Sequence, residues 1–172
     1  MKRSLLLISS LFFIHIALFA ADTVKVGALE LRIPDNWKQE TPSSSMRSGQ
    51  FLVPTEDGIN IEYIVYYFGK GGGGGIDANI NRWVNQFARE GRTHTRTEGE
   101  SKNGKYHLVD IQGTFNKSVG APMMGKTTPV PGSRVMAAVI NSTAGSYFIK
   151  FIGTFDNVKK AKNDFLDSFG AK

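Results

Sequence analysis

The sequence predicts a single α+β domain, a twisted and mostly antiparallel sheet sandwiched by helices in a three-layer α/β/α arrangement. Three observations carry that expectation. Residues 59–68 (INIEYIVYYF) and 133–140 (SRVMAAVI) are strands that become apolar on both faces, so they must be covered above and below. Two other stretches, one after Asp77 and one at 155–169, repeat apolar residues at three- and four-residue spacing, as amphipathic helices do. Short turn signals join most of the strands, which favours antiparallel neighbours.

The first twenty residues stand apart from the domain. Met1, Lys2 and Arg3 make a basic start, Leu5 to Phe19 an apolar run, and Ala20 and Ala21 supply small residues at its end. This is the three-part layout of an export signal, with cleavage expected after Ala20. Cleavage after Ala21 would set the bulky Phe19 three residues from the new end. An uncleaved anchor is the competing reading, but the run is short of the roughly 20 residues that span hydrocarbon. Residues 21–172 are then the globular domain, expected in the periplasm or outside the cell and without stable membrane insertion.

Composition narrows the chemistry. There is no cysteine, which excludes lipid attachment, disulfides and thiol chemistry. A domain of this length buries roughly 70% of its unfolded surface and can dispense with disulfides. The formal charge of +6 falls to +4 when Lys2 and Arg3 leave with the signal. The bases are scattered, apart from Lys159, Lys160 and Lys162, so no nucleic-acid partner is expected.

Along the domain, Ala28 to Ile33 reads as a strand closed by the turn cluster Pro34-Asp35-Asn36, with Trp37 following. Residues 46–53 make the next strand, and Glu56-Asp57-Gly58 turns the chain into 59–68. Five glycines, Gly71 to Gly75, follow Gly69-Lys70. Asp77 is the expected N-cap of a helix whose stripe is Ile80, Trp83, Val84 and Phe87, ended by Gly91. Residues 93–100 alternate threonine with charge, which suits an edge strand. Asn103-Gly104 marks a tight hairpin into 105–115. Residues 116–132, with three prolines and three glycines, read as a long loop, a length often tied to function. Strands 133–140 and 146–152 form a hairpin, and a helix over about 155–169 carries Phe155, Val158, Phe165, Leu166 and Phe169.

No catalytic constellation is legible. No serine sits in a G-x-S-x-G elbow, and only His94 and His107 remain after signal removal. His107 shares a face with Val109 and Ile111 and is expected at the rim of the core, and His94 in solvent. His107 and Asp110 are three apart on a strand and so point to opposite faces, which argues against a metal site. No metal and no cofactor is expected. The glycine run could expose N–H groups to an anion beside Lys70, but it fits neither phosphate-binding motif and Asp77 would repel an anion. A floppy linker is the plainer reading. In the loop Pro122-Met123-Met124-Gly125-Lys126, the methionines serve either an adaptable binding surface or cover for the sheet.

Several unusual segments in order, LRIPDNW, SSSMRSGQFLVP, IEYIVYYFG with its glycines, NINRWVNQF, VDIQGTF, PMMG, SRVMAAVI and YFIKFIGTFDNVKKAKNDFLDSF, resemble small secreted bacterial proteins of the PsbP-like class. That class is named after an extrinsic subunit of the photosynthetic oxygen-evolving complex and includes a nuclear Ran-binding protein. The resemblance covers nearly the whole domain. It implies an antiparallel sheet sandwiched by helices and a binding or assembly role in place of catalysis, and it supplies no set of site residues.

The expected function is therefore a non-catalytic binding or accessory protein of the cell envelope, with an envelope protein as its partner and its oligomeric state open. The expected binding surface joins the glycine loop (Lys70, Gly71, Gly72, Gly73) to Met123, Met124 and Lys126 of the long loop. Two alternatives stand beside it, a secreted hydrolase with a carboxylate or histidine site and a carrier of small anions using the glycine loop.

Overall fold

The structure, a computed structural model, describes residues 21–119 and 125–171. The expected signal, 1–20, and the pair Met123 and Met124 lie outside the described residues. The elements run β1 (Ala21–Val26), β2 (Leu29–Pro34), β3 (Lys38–Gln39), β4 (Arg47–Val53), β5 (Ile61–Tyr67), α1 (Ile76–Val84), β6 (Thr93–Ser101), β7 (Gly104–Ser118), β8 (Thr127–Ser142), β9 (Gly145–Thr154), α2 (Phe155–Lys160) and α3 (Lys162–Ser168). Seven strands form one sheet in the order β3-β4-β5-β9-β8-β7-β6, with every pair antiparallel. β1 and β2 make a separate hairpin.

The strands that are apolar on both faces take the interior positions. β9 is the fourth of seven, with β5 and β8 on either side of it. Their alternate residues feed two separate cores. Tyr63, Val65, Met136, Ala138, Ile140, Tyr147, Ile149 and Phe151 point to one face, where they meet Leu29 and Leu31 of β2, Trp37, and Val158, Phe165 and Phe169 of the C-terminal helices. Val109, Ile111, Val135, Ala137, Val139 and Phe148 point to the other, where they meet Ile80, Trp83 and Val84 of α1 and Phe87 beyond it.

The first face is closed by several ties. Trp37 stacks on Phe151 at 5.7 Å, and Phe151 on Phe165 at 5.0 Å. The Trp37 N–H donates to Pro34 O, which makes the Pro34–Trp37 turn. Asn103 in the β6–β7 turn accepts from the Glu30 N–H and donates to Glu30 O and Phe169 O, so one side chain fastens the hairpin and the C-terminus together.

The α1 face is covered less completely. A nine-residue helix is roughly 13 Å long. Six interstrand gaps of ~4.8 Å make a seven-stranded sheet about 29 Å wide. α1 packs on β7 and β8 and reaches β9 through Trp83 and Phe148, leaving a cleft over β5 and β9.

Several sequence expectations change. β1 was not foreseen; it pairs with β2 from Ala21↔Pro34 to Val26↔Leu29. α1 is capped by Gly75, not Asp77, whose carboxylate pairs with Arg96 at 2.6 Å. The helix also stops at Val84. Beyond it Gln86 and Ala88 bond backbone to backbone with Asn116 and Thr114, so Phe87 reaches the core by joining β7, while Arg92 donates to Val84 O at the helix end. The last helix is two, broken at Ala161. Much of the expected 116–132 loop is strand: β7 and β8 continue as a two-stranded arm, Phe115↔Val130 to Ser118↔Thr127, past the last residues that β6 and β9 pair. Pro129 and Pro131 are tolerated because this part of β8 has a partner on one side only. Helices lie on both faces, but the closed face is shared between α2, α3 and the β1–β2 hairpin.

Candidate functional site

Those described residues that were expected to form one binding surface fall at opposite ends of the sheet. Gly69 and Lys70 abut the β8–β9 turn, where a Cβ on Gly145 would come within 3.2 Å of Lys70 Cα, and the Tyr67 hydroxyl donates to Ala144 O. Lys126 is at the tip of the arm, where its carbonyl accepts from the Val119 N–H. β8 runs the whole way between them, from Thr127 to Ser142, on the order of 50 Å at ~3.3 Å per residue. Lys70 and Lys126 are both exposed.

The glycine segment is a fitted turn, which corrects the floppy-linker expectation. Gly73 has φ of +84°, and a Cβ there would lie 2.3 Å from the Phe148 ring. A Cβ on Gly72 would lie 2.1 Å from Phe68 O. Only glycine fits such positions. The Asn79 amide donates to Gly73 O and Gly75 O, so the segment is tied through its carbonyls.

The stronger candidate is the cleft over β5 and β9. Its main part holds about 350 Å³, and an adjoining part of about 280 Å³ shares Tyr66, Gln86 and Lys150 with it. Lys150 is the unusual residue. In β9 it stands between Ile64 of β5 and Ala137 of β8, in the middle of the sheet, and only 6% of it is exposed. Its Nζ donates to Gln86 Oε1 at 2.8 Å and sits 5.7 Å from the centre of the Phe115 ring. Gln86 is held in place by its own carbonyl, which accepts from the Asn116 N–H of the arm.

Among the described residues, no carboxylate pairs with Lys150. The acid lining the cleft, Glu62, is engaged elsewhere, with Arg47 at 3.4 Å and Lys117 at 3.7 Å. Arg47 also donates to Gln50 Oε1, and Arg82 bonds Asn79. Burial, reinforced by the positive charges of Arg82 and Arg47, depresses the Lys150 ammonium to a pKa of about 8. Tyr66 is raised above the usual phenol value, chiefly by burial.

Around this buried cation the surface is apolar. Met46, Ile59, Phe68 and Val130 are four of the five large apolar side chains that stand notably exposed among the described residues, at 38% to 56%, and all four line the two parts of the cleft. Scattered exposed apolar residues are ordinary, but a group of them around one concavity marks a binding surface. Sequence reasoning passed over Lys150. Its signal was visible: a lone lysine at the centre of YFIKFI, in a strand otherwise apolar on both faces.

The remaining candidates are quieter. A smaller cleft of about 200 Å³ lies beside Trp37, and two of its polar side chains are already engaged, Asn157 with Asp57 and Lys160 with Glu56. His94 is exposed, and His107 lies at the core rim with Nδ1 3.3 Å from Glu98 Oε2, outside hydrogen-bonding geometry. Among the described residues, no group of three or more His, Asp or Glu side chains is placed to hold a metal ion. No helix there is long and apolar enough to cross a membrane.

Comparison with known proteins bears on the fold. No family model matches the chain, and no curated protein matches it. Among solved structures it is similar to the solution structure of cyanobacterial PsbP (CyanoP) from Synechocystis sp. PCC 6803, with a TM-score of 0.51 and 14% identity over 92% of this chain and 96% of that one. The chain therefore has a PsbP-like fold, as its sequence resemblance implied, and a likeness at this identity speaks to fold alone.

Proposed function

We propose that this PsbP-like chain is a non-catalytic binding protein of the cell envelope that holds its ligand in the cleft over β5 and β9. The observation that carries the reading is Lys150, a buried ammonium without a carboxylate partner among the described residues, at the floor of a concavity rimmed by exposed apolar side chains. A buried charge of this kind is unfavourable for the empty protein and becomes favourable once a ligand supplies the missing partner. The envelope location rests on the N-terminal export pattern. Layering as α/β/α supports the reading as well: an apolar core on each face, with α1 on one and α2 and α3 on the other, makes a rigid floor for a site.

The test is native mass spectrometry of the protein incubated with small molecules extracted from the cell envelope. The wild type should retain an adduct that a variant with Ile59→Asp and Phe68→Asp does not, both side chains being exposed at the rim of the cleft. An adduct retained equally by both, or by neither, would contradict the assignment to this cleft.

A further inference from the structure

The cleft has an internal division of labour that specifies a ligand class, on the premise that it is the binding site. Its titratable residues are Arg47 from β4, Glu62 and Tyr66 from β5, Arg82 from α1, Lys117 from β7 and Lys150 from β9. Four of these are cations and one, Glu62, is an acid, so the lining is positive overall. Glu62 sits between Arg47 and Lys117, Arg47 has Gln50 as a further acceptor, and Arg82 has Asn79. Lys150 is the buried one of the four cations, and its Nζ lies against a neutral amide and an aromatic ring. An ammonium has three donors, and Gln86 takes one. Lys150 therefore has two donors to spare in a lining of net positive charge, which a carboxylate satisfies and a neutral ligand does not.

The adjoining part of the cleft fixes the rest of the molecule. From Lys150 and Tyr66 it runs to Met46, Phe68, Trp83 and Phe148. Tyr66 and Phe68 stack at 6.3 Å, and Phe68 and Phe148 lie 5.8 Å apart, so its wall is an aromatic surface. Such a wall takes an aliphatic or aromatic body through burial of apolar area, about 25 cal/mol per Å². We propose that the cleft binds a small amphipathic carboxylate, its head on Lys150 and its apolar body along Tyr66, Phe68 and Phe148.

Octanoate is the probe, titrated into the purified protein at pH 7 by calorimetry and by amide chemical shifts, with acetate and octanol as controls. The geometry predicts that octanoate binds at least tenfold more tightly than either control, with shifts centred on residues 64–68, 86 and 148–152. Lys150→Met should weaken octanoate at least tenfold while leaving octanol unchanged, and Phe68→Asp should weaken octanoate while leaving acetate unchanged. Octanoate that binds no better than octanol, or equally well to Lys150→Met, overturns the carboxylate head. If octanoate fails while an envelope adduct is still lost with Ile59→Asp and Phe68→Asp, the ligand class is wrong and the cleft stands. If both fail, the cleft assignment falls with it.

Discussion

Among the described residues each face of the sheet buries one cation, and the two are treated in opposite ways. On the closed face, Arg134 of β8 donates from Nε and Nη2 to the two carboxylate oxygens of Asp110 at 2.8 and 2.6 Å, with side-chain exposures of 8% and 12%, and lies against the Phe155 ring. On the α1 face, Lys150 of β9 has one neutral acceptor. Both sit on interior strands of the same sheet. Arg134 is a finished structural unit, a planar fork matched to a carboxylate. Lys150 is half of such a unit. The difference follows from cover: hairpin, Trp37 and two helices pack one face, and a single short helix the other. What the fold leaves open on the α1 face is also where its charge is unbalanced.

The comparison can be broken at either cation. Asp110→Ala strands a buried guanidinium and should lower unfolding free energy by about 3–5 kcal/mol in urea titrations. A loss under 1 kcal/mol would mean that Arg134 reaches solvent and that the closed face is not closed. Lys150→Met should do the reverse, stabilising the protein by up to about 3 kcal/mol at pH 7. The pH dependence has a defined sign. The folded-state value is depressed from 10.5 to about 8, so between those values the unfolded chain binds more protons, and stability from this group rises as pH goes from 8 to 10.5. Below pH 8 the destabilisation is fully present. Wild type should show this rise in denaturant midpoint and Lys150→Met should not; parallel curves would remove Lys150 as its source.

Smaller effects sharpen the picture at the edges of the two faces. Gly73→Ala places a Cβ against Phe148 at a positive φ and should cost about 1–3 kcal/mol, read as a drop in thermal midpoint. A neutral result would restore the loose-linker reading of the glycines. Thr154→Ala removes the hydroxyl that accepts from the Asn157 N–H at the start of α2 and should cost about 1 kcal/mol, read as a drop in thermal midpoint.

The sequence revealed the sheet better than the site, for physical reasons. β5, the 135–140 part of β8 and the 147–152 part of β9 announce themselves because burial on both faces leaves few polar residues in them. The charged threonine-rich run at the sheet edge and the Asn103-Gly104 turn are equally direct, because edges and tight turns constrain residue type. β1 was hidden because ADTVKV is short and half polar, and it pairs only with its neighbour. The arm was hidden because Pro129 and Pro131 read as loop residues until it is known that only one side of that strand is paired. Phe87 continued the helical stripe in sequence, yet it reaches the same core from an extended segment. For the site, long loops drew attention to Lys70 and Lys126, whose separation is set by strand length and pairing. Lys150 carried the sharper signal, a charge where the pattern demands an apolar residue, but its lack of a carboxylate partner is a tertiary fact.

The central claim is that Lys150 is a buried ammonium awaiting an anion, and its own titration tests this most directly. With ¹³C-labelled lysine, the Lys150 Cε resonance should titrate near pH 8 in the free protein and shift upward when octanoate is added. A midpoint near 10.5, unmoved by octanoate, would show a solvated lysine and contradict the account.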